Sequence, residues 1–185
     1  MVANPIDSRV LYEMLSRRLA DDPMIDAISL TGGEPLLQAD YLAEVLGHGE
    51  LSVPVLLETN GMLPVQLRRL LDRIAIVSMD IKPPSNTGER AFWDEHAEFL
   101  RAARHKQTYI KVMVDAGTRV EEVSRAAGLV HQTTPEATLY LQPLVGQDGE
   151  VDISREHLSD LFRAAKQRTS AVRVVPQIHK ILKIQ

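Results

Sequence analysis

Short apolar runs alternate with amphipathic segments along this chain, and that alternation limits the possible folds more than any other feature. Between the runs, apolar residues recur at helical spacing, as from Val10 to Leu19, where Ser8 is the predicted N-cap. Repetition of strand and helix predicts right-handed βαβ units and therefore a parallel sheet. The predicted strands span residues 27–31, 53–59, 74–82, 108–115, 137–144 and 172–177.

Several of the predicted strands have one apolar face and one polar face. Within the third strand, Ser78 and Asp80 alternate with Val77 and Met79, and successive side chains of a strand point to opposite faces. Unpaired buried charges are costly, so the polar faces must meet water or a polar ligand. A closed eight-stranded barrel instead fills its interior with Val, Ile and Leu. We therefore predict an α/β fold in which about six strands form an open, partial parallel β/α barrel. The other polar positions are Ser29, Thr31, Glu58, Lys82, Lys111 and Gln142.

The turn after the first predicted strand, Gly32-Gly33-Glu34-Pro35, is the strongest candidate for a ligand contact. Ligands of parallel β/α folds bind at the carboxyl ends of the strands. A glycine has no Cβ, so a ligand can contact its main-chain N–H and C=O groups directly. Glu34 adds an acceptor for a cationic amine, and Pro35 stiffens the exit from the strand. The alternative is a tight strand-to-helix turn that binds nothing.

Three further candidates each have a structural alternative. Glu58 contacts a ligand or pairs with a neighbouring lysine such as Lys82 or Lys111. Lys82 contacts a ligand or forms an ion pair with Asp80. His179 is either functional or a surface histidine. The sequence contains no phosphate-binding loop, dinucleotide fingerprint, G-x-S-x-G elbow or H-E-x-x-H motif. The remaining histidines lack metal-ligand spacing and are interpreted as structural or solvated: His48, His96, His105, His131 and His157.

Composition excludes several classes of function. The 185 residues fit one domain, residues 1–185, and a net charge of -4 without a dense basic run argues against a nucleic-acid partner. No apolar run reaches the roughly 20 residues of a membrane-spanning helix, and the N-terminus lacks a signal-peptide pattern. We therefore expect a cytoplasmic protein that does not bind membranes. The chain has no cysteine, which excludes disulfides, thiolate nucleophiles and cysteine-held metal centres within it.

Four segments carry a resemblance to a known family. "LTGGEPLLQ", "LLETNG", "VSMDIKPPS" and the closing "VPQIHKIL" follow one another in this order. Together they resemble the radical S-adenosylmethionine (SAM) superfamily and, within it, the 7-carboxy-7-deazaguanine synthase family. The resemblance runs from about residue 8 to the C-terminus. It implies a radical SAM core and the ring contraction of 6-carboxy-tetrahydropterin to the deazapurine precursor of queuosine and related nucleosides.

The resemblance also implies roles for individual residues. The first turn would hold the amino group of the methionine part of SAM, with Gly33 in contact. Thr31 would face the pterin substrate, for which Glu58, Lys82 and His179 are further candidates. The residues implied to bind SAM are Gly32, Gly33, Glu34, Pro35, Ser78, Met79, Asp80, Gln142 and Pro143.

The chain departs from this family in its metal ligands. The superfamily holds a [4Fe–4S] cluster on a C-x-x-x-C-x-x-C loop after its first strand, because thiolates are suitable ligands for iron. Here there is no cysteine, and no strand precedes the first predicted helix. The Mg²⁺ ligand of the family lies beside the same loop, so the ligands of both metals are absent. We expect a synthase truncated at its N-terminus and inactive alone. The alternatives are a non-catalytic SAM- or pterin-binding paralogue and a partner subunit.

The absence of a first strand has a consequence for assembly. It predicts an exposed sheet edge beside residues 27–31, and exposed edges pair with other chains. The sequence therefore predicts a homodimer or a complex with a partner chain.

Overall fold

A single sheet of six parallel strands, with helices in each connection, forms the protein in this computed structural model, which describes residues 6–146 and 149–177. The predicted strands are all present, most of them shorter by a few residues. The strands are β1 Ile28–Leu30, β2 Val55–Thr59, β3 Ile76–Ile81, β4 Gln107–Val114, β5 Thr138–Pro143 and β6 Val172–Val174. The helices are α1 Ser8–Asp21, α2 Ala39–Gly47, α3 Pro64–Leu70, α4 Pro84–Thr87, α5 Trp93–Ala103, α6 Val120–Thr133 and α7 Arg155–Lys166.

Each strand pairs in parallel with the strand that follows it in sequence, so the spatial order is β1-β2-β3-β4-β5-β6. The sheet is open, because β1 and β6 each have one neighbour among the described residues. This confirms the predicted open, partial parallel β/α barrel. The register places Glu58 beside Ser78 and Asp80 beside Lys111. The polar positions of neighbouring strands therefore lie side by side on one face of the sheet.

The opposite face of the sheet forms the core with the helices. Each fully buried Val, Leu, Ile, Phe or Met side chain contributes about 1.5–3 kcal/mol relative to an exposed one, so this layer supplies most of the stability. The apolar strand positions that the alternation assigned to the helix side are buried there. They include Leu57, Val77, Met79, Ile81, Ile110, Val112, Leu139 and Leu141, and they pack against helix residues such as Leu67, Phe99, Leu100, Val123 and Leu161.

The first helix begins differently from the prediction. Ser8 was predicted to be the N-cap, but the cap is Asp7, whose carboxylate accepts hydrogen bonds from the amides of Arg9 and Val10. Ser8 is the first helical residue and is buried; its hydroxyl donates to Oε1 of Glu44 on α2 at 2.8 Å. The sequence offers two good caps in succession, and packing against α2 selects the earlier one.

Three helices that the sequence pattern did not single out, α2, α3 and the one-turn α4, complete the connections. α2 follows a 3₁₀ turn at Pro35–Gln38, and α3 begins with Pro64, which suits the first turn of a helix because it needs no N–H donor there. Of the helices in the described ranges, none combines the length and the apolar character needed to cross a membrane.

Candidate functional site

The polar face of the sheet lines an open cavity of about 280 Å³. Charged and amide side chains from the middle strands meet aromatic and aliphatic side chains there, a mixture that suits a planar ligand with polar edges. The Glu58 carboxylate and the Lys111 ammonium group face this cavity and not the helices, as the alternation predicts. The lining residues are Leu56, Glu58, Ser78, Tyr109, Lys111, Tyr140, Gln142 and Val175.

An ion pair between neighbouring strands crosses this face. Nζ of Lys111 lies 3.0 Å from Oδ1 of Asp80, and the two residues are register partners on β4 and β3. Oδ1 of Asp80 is buried and has no hydrogen bond among the described residues, so the lysine charge is its main compensation. The predicted alternative that pairs Asp80 with Lys82 is therefore wrong. Lys82 is exposed just beyond the end of β3.

Glu58 is held by a hydroxyl and not by a cation. Oε1 of Glu58 accepts a hydrogen bond of 3.1 Å from Oγ of Ser29 on the neighbouring strand. In residues 6–146 and 149–177, neither Lys82 nor Lys111 forms an ion pair with it. The Glu58 carboxylate is exposed on the cavity side and therefore accessible to a ligand with N–H donors.

The glycine turn that follows β1 is open to solvent. Thr31, Gly32 and Gly33 are all exposed, and Gly32 has a φ of 137°, a conformation that side chains with a Cβ rarely adopt. A Cβ built on Gly33 would meet no atom within 4 Å. Within the described part of the chain, neither glycine uses its main-chain N–H or C=O in a hydrogen bond. These groups are available to a ligand, although the turn lies outside the residues that line the cavity.

Glu34 has a use that the sequence did not reveal. Oε1 accepts from the amide of Leu36 at 3.1 Å and from Oγ1 of Thr59 at 2.8 Å, and Oε2 accepts from the amide of Asn60 at 2.8 Å. The carboxylate thus caps the 3₁₀ turn that follows it and also joins the turn after β1 to the turn after β2. Its predicted role as an acceptor for a ligand amine remains a prediction.

The turn after β2 is fixed from its other side by α5. Nε2 of His96 lies 3.1 Å from the carbonyl oxygen of Asn60, so this nitrogen carries the proton, since a carbonyl can only accept. Burial lowers the pKa of His96, and the hydrogen bond to Asn60 opposes that shift only in part. Gly61 has a φ of 71° and packs so closely on Met79 that a Cβ would lie 2.6 Å from that side chain. The turn therefore has no room for a side chain at position 61.

The remaining predicted site residues fall into three groups. Ser78 and Gln142 face the cavity with their side chains. Met79 and Pro143 are buried in the strands, with Met79 completely enclosed on the helix side, so only their main chains could meet a ligand. His179 lies outside the described residues.

A second polar cluster at the ends of β3 and β4 was not predicted. Oγ1 of Thr118 donates to the side chain of Asn86 at 3.1 Å and accepts from the amide of Asp115 at 2.8 Å. The Thr118 carbonyl contacts Nε2 of His157 on α7 at 2.8 Å. These bonds fix the two loops to each other. The sequence feature that could have predicted this cluster is the turn "DAGT" at 115–118, because Asp and Thr side chains in turns form hydrogen bonds to nearby backbone groups.

The metals implied by the sequence resemblance do not fit the residues present. The 185 residues contain no cysteine, so they offer no thiolate to an iron–sulfur cluster. Among the side chains that the structure describes, no three of His, Asp or Glu converge on a point where an ion could bind.

The open six-stranded sheet has the fold of radical SAM enzymes. A radical SAM methyltransferase from Sphaerobacter thermophilus superposes with a TM-score of 0.64 at 13% identity, covering 92% of this chain and 58% of that one. Archaeal TYW1 superposes with a TM-score of 0.59 at 15% identity, covering 92% of this chain and 66% of that one. No family model matches the sequence.

Sequence relatives define the family more narrowly. The 7-carboxy-7-deazaguanine synthase of Thermococcus kodakarensis is 31% identical over 191 residues, which cover 98% of this chain and 71% of that protein. The synthase of Geobacter sulfurreducens is 34% identical over 157 residues, and that of Thermoplasma acidophilum is 33% identical over 158. The chain belongs to the 7-carboxy-7-deazaguanine synthase family. It spans 63% of the length of the Geobacter protein.

Proposed function

We propose that this chain is the part of a 7-carboxy-7-deazaguanine synthase that binds SAM and a carboxylated pterin. The observation that carries the proposal is the exposed turn at Gly32 and Gly33, whose main-chain groups have no partners in the described residues. The turn lies at the carboxyl edge of a parallel sheet, where ligands of such folds bind. Because the metal ligands are absent, we propose that the chain alone does not catalyse the ring contraction.

The proposed SAM site combines main-chain and side-chain contacts. The carbonyls of the glycine turn would accept hydrogen bonds from the methionine amino group, with Gly33 closest. Ser78 and Gln142 face the cavity and would bind ribose or adenine by hydrogen bonds, together with the main chain at Met79 and Pro143. The carboxylate of Asp80, already paired with Lys111, would add negative charge beside the sulfonium.

The proposed substrate site uses the residues nearest the open edge. The Glu58 carboxylate would accept N–H groups of an aminopyrimidinone ring, because it is exposed and its only described partner is the Ser29 hydroxyl. Lys82 is exposed at the end of β3 and would attract the substrate carboxylate. Thr31 would contact the ring of the substrate held by Glu58 and Lys82. Each of these groups orients the ligand, and none requires a metal on this chain.

Calorimetric titration of SAM into the purified chain tests the proposal. We expect saturable binding that Gly33→Val weakens by at least about tenfold, since a branched side chain would block the main-chain contact. Because a Cβ at Gly33 meets no atom within 4 Å, this variant should fold normally. Gly47→Val is the matched control, since a Cβ at that α2 position is also unobstructed. Failure of the wild-type chain to bind SAM would contradict the proposal and favour a partner subunit.

A non-catalytic paralogue is the second candidate, and the absence of cysteine favours it. Anaerobic iron–sulfur reconstitution, followed by counting iron per chain, should leave no cluster on either candidate. The DNA upstream of Met1 separates them, because a reading frame that encodes C-x-x-x-C-x-x-C in phase supports the synthase. A stop codon without such a frame supports the paralogue.

We also propose that the chain associates with a second copy or a partner chain along β1. This strand is paired only on its β2 side among the described residues, which leaves main-chain donors and acceptors along its other side.

A further inference from the structure

The side chain of Glu34 connects two turns that are far apart in sequence. Glu34 follows the glycine turn after β1, and its carboxylate reaches Thr59 and Asn60 in the turn after β2. The distances of 2.8 Å to the Thr59 hydroxyl and 2.8 Å to the Asn60 amide are those of strong hydrogen bonds to a charged acceptor. A third bond, from the Leu36 amide, fixes the carboxylate relative to its own turn. The two turns are therefore held as one unit.

The second turn is rigid enough to serve as the anchor. Its carbonyl at Asn60 is bound by the buried His96 of α5, and Gly61 is packed against the buried Met79 of β3. The first turn has no comparable support of its own, because Gly32 and Gly33 are exposed and form no main-chain hydrogen bond among the described residues. Glu34 transmits the rigidity of the second turn to the first. Without this link, two consecutive glycines would lose much conformational entropy on binding a ligand.

We infer that Glu34 is a positioning residue: its carboxylate holds the glycine turn in the binding conformation and does not itself receive the ligand amine. Both oxygens already accept hydrogen bonds from the protein. The ligand's amino group is then left to the main-chain carbonyls of Gly32 and Gly33. The inference rests on the proposed SAM site.

Thr59→Val is the most informative variant, because it removes one donor to Glu34 and leaves Glu34, Gly32 and Gly33 themselves unchanged. It also removes the acceptor of the Gly61 amide, which lies 3.2 Å from the Thr59 hydroxyl. Nitrogen-15 relaxation should show the order parameters of the Gly32 and Gly33 amides falling from about 0.85 to below about 0.6 in both Thr59→Val and Glu34→Gln. The affinity for SAM should fall by at least about tenfold in each variant, as expected for a lost hydrogen bond to a charged group. The double variant should lose little more than either single one, because both changes break the same link.

Thr108→Val is the matched control. Thr108 is also buried, but its hydroxyl donates to the Lys106 carbonyl at the opposite end of the sheet. This variant should lower the melting temperature less than Thr59→Val, because it loses one bond to a neutral carbonyl, and should leave the SAM affinity and the glycine order parameters unchanged. If Thr59 contributed to stability alone, the SAM affinity and the glycine order parameters would be unchanged in both variants.

Two results would overturn the inference. One is a Thr59→Val protein with unchanged order parameters at Gly32 and Gly33. The other is a Thr59→Val protein with unchanged SAM affinity beside a Glu34→Gln protein that no longer binds, which would assign the amine contact to the Glu34 carboxylate. Should the wild-type chain bind no SAM, the proposed function fails, and the relaxation data alone still decide whether Glu34 positions the turn.

Discussion

The imidazole of His96 lies beneath the turn that follows β2, with Nε2 3.1 Å from the carbonyl oxygen of Asn60. The histidine is buried, and its other ring nitrogen has no hydrogen-bond partner among the described residues. Burial favours the neutral ring in this position, because protonation would place a poorly compensated charge in the interior. The turn that anchors the proposed ligand site is therefore linked to the protonation of one side chain.

The stability of the protein should fall as the pH decreases below about 6.5, the usual pKa of an unfolded histidine. Burial lowers the pKa of His96 in the folded state, so the unfolded chain binds a proton that the folded chain does not. Stability is therefore lost on acidification until the folded pKa is reached. Urea unfolding at about pH 7.5 and 5.5 measures the loss. It should be smaller in His96→Gln than in the wild type, and His105→Gln, an exposed control, should keep the wild-type loss.

Gly61→Ala should destabilise the protein more than Gly88→Ala. Both glycines have a φ of 71°, so both substitutions carry the same conformational cost of about 1 kcal/mol. At Gly61 a Cβ would also lie 2.6–2.8 Å from atoms of Met79, whereas at Gly88 it would meet nothing within 4 Å. The difference between the two unfolding free energies, from urea denaturation, is the contribution of the Met79 contact. Equal values would mean that Gly61 is not packed against β3.

Lys111→Met should cost about 1–2 kcal/mol, because it leaves the partly buried Asp80 carboxylate without its cation. The double variant Asp80→Asn/Lys111→Met should recover much of that loss, since no charge then remains. Denaturant unfolding of the three proteins gives the comparison. The pair is partly exposed, so its contribution is smaller than that of a fully buried pair. A double variant no more stable than the single one would show that charge compensation is not what the lysine provides.

Ser29→Pro should reduce self-association through β1. Ile28 donates its N–H to Pro54 beside β2, so the N–H of Ser29 points to the free edge of the sheet. Proline removes that donor and is tolerated on edge strands. Ser29→Ala is the control, because it loses the same hydroxyl bond to Glu58 but keeps the N–H. Light scattering over a concentration series measures the effect, and a monomeric wild-type protein at high concentration would contradict the proposed edge pairing.

Much of the fold could be predicted because the spacing of apolar residues differs between strands and amphipathic helices and shows which face of each is buried. The alternation of Ser78 and Asp80 with Val77 and Met79 placed polar and apolar side chains on the correct faces, and the cavity and the core follow that division. The first helix shows the limit of such patterns. Both Asp7 and Ser8 can cap a helix, and only contact with Glu44 on a distant segment decides which one does.

The partners of the charged residues could not be predicted from the sequence either, because they too depend on contacts with distant segments. Lys82 was the predicted partner of Asp80, but the strand register places Lys111 beside Asp80 instead. Glu34 is the clearest case, because its partners lie 25 and 26 residues away. The sequence motif indicates that Glu34 belongs to a ligand site. Only the structure, in which the turn after β1 approaches the turn after β2, shows that its carboxylate already accepts hydrogen bonds from the protein.

The strands of the sheet follow one another in the same order as in the sequence, so β1 lies at one edge of the sheet. Among residues 6–146 and 149–177 no strand is inserted between two earlier ones, so a further strand can pair with β1 without separating any existing pair. The glycine turn sits on that same outermost strand. A polypeptide that covers this edge would therefore also form one wall of the proposed ligand site, so that docking there and completion of the site would be a single event.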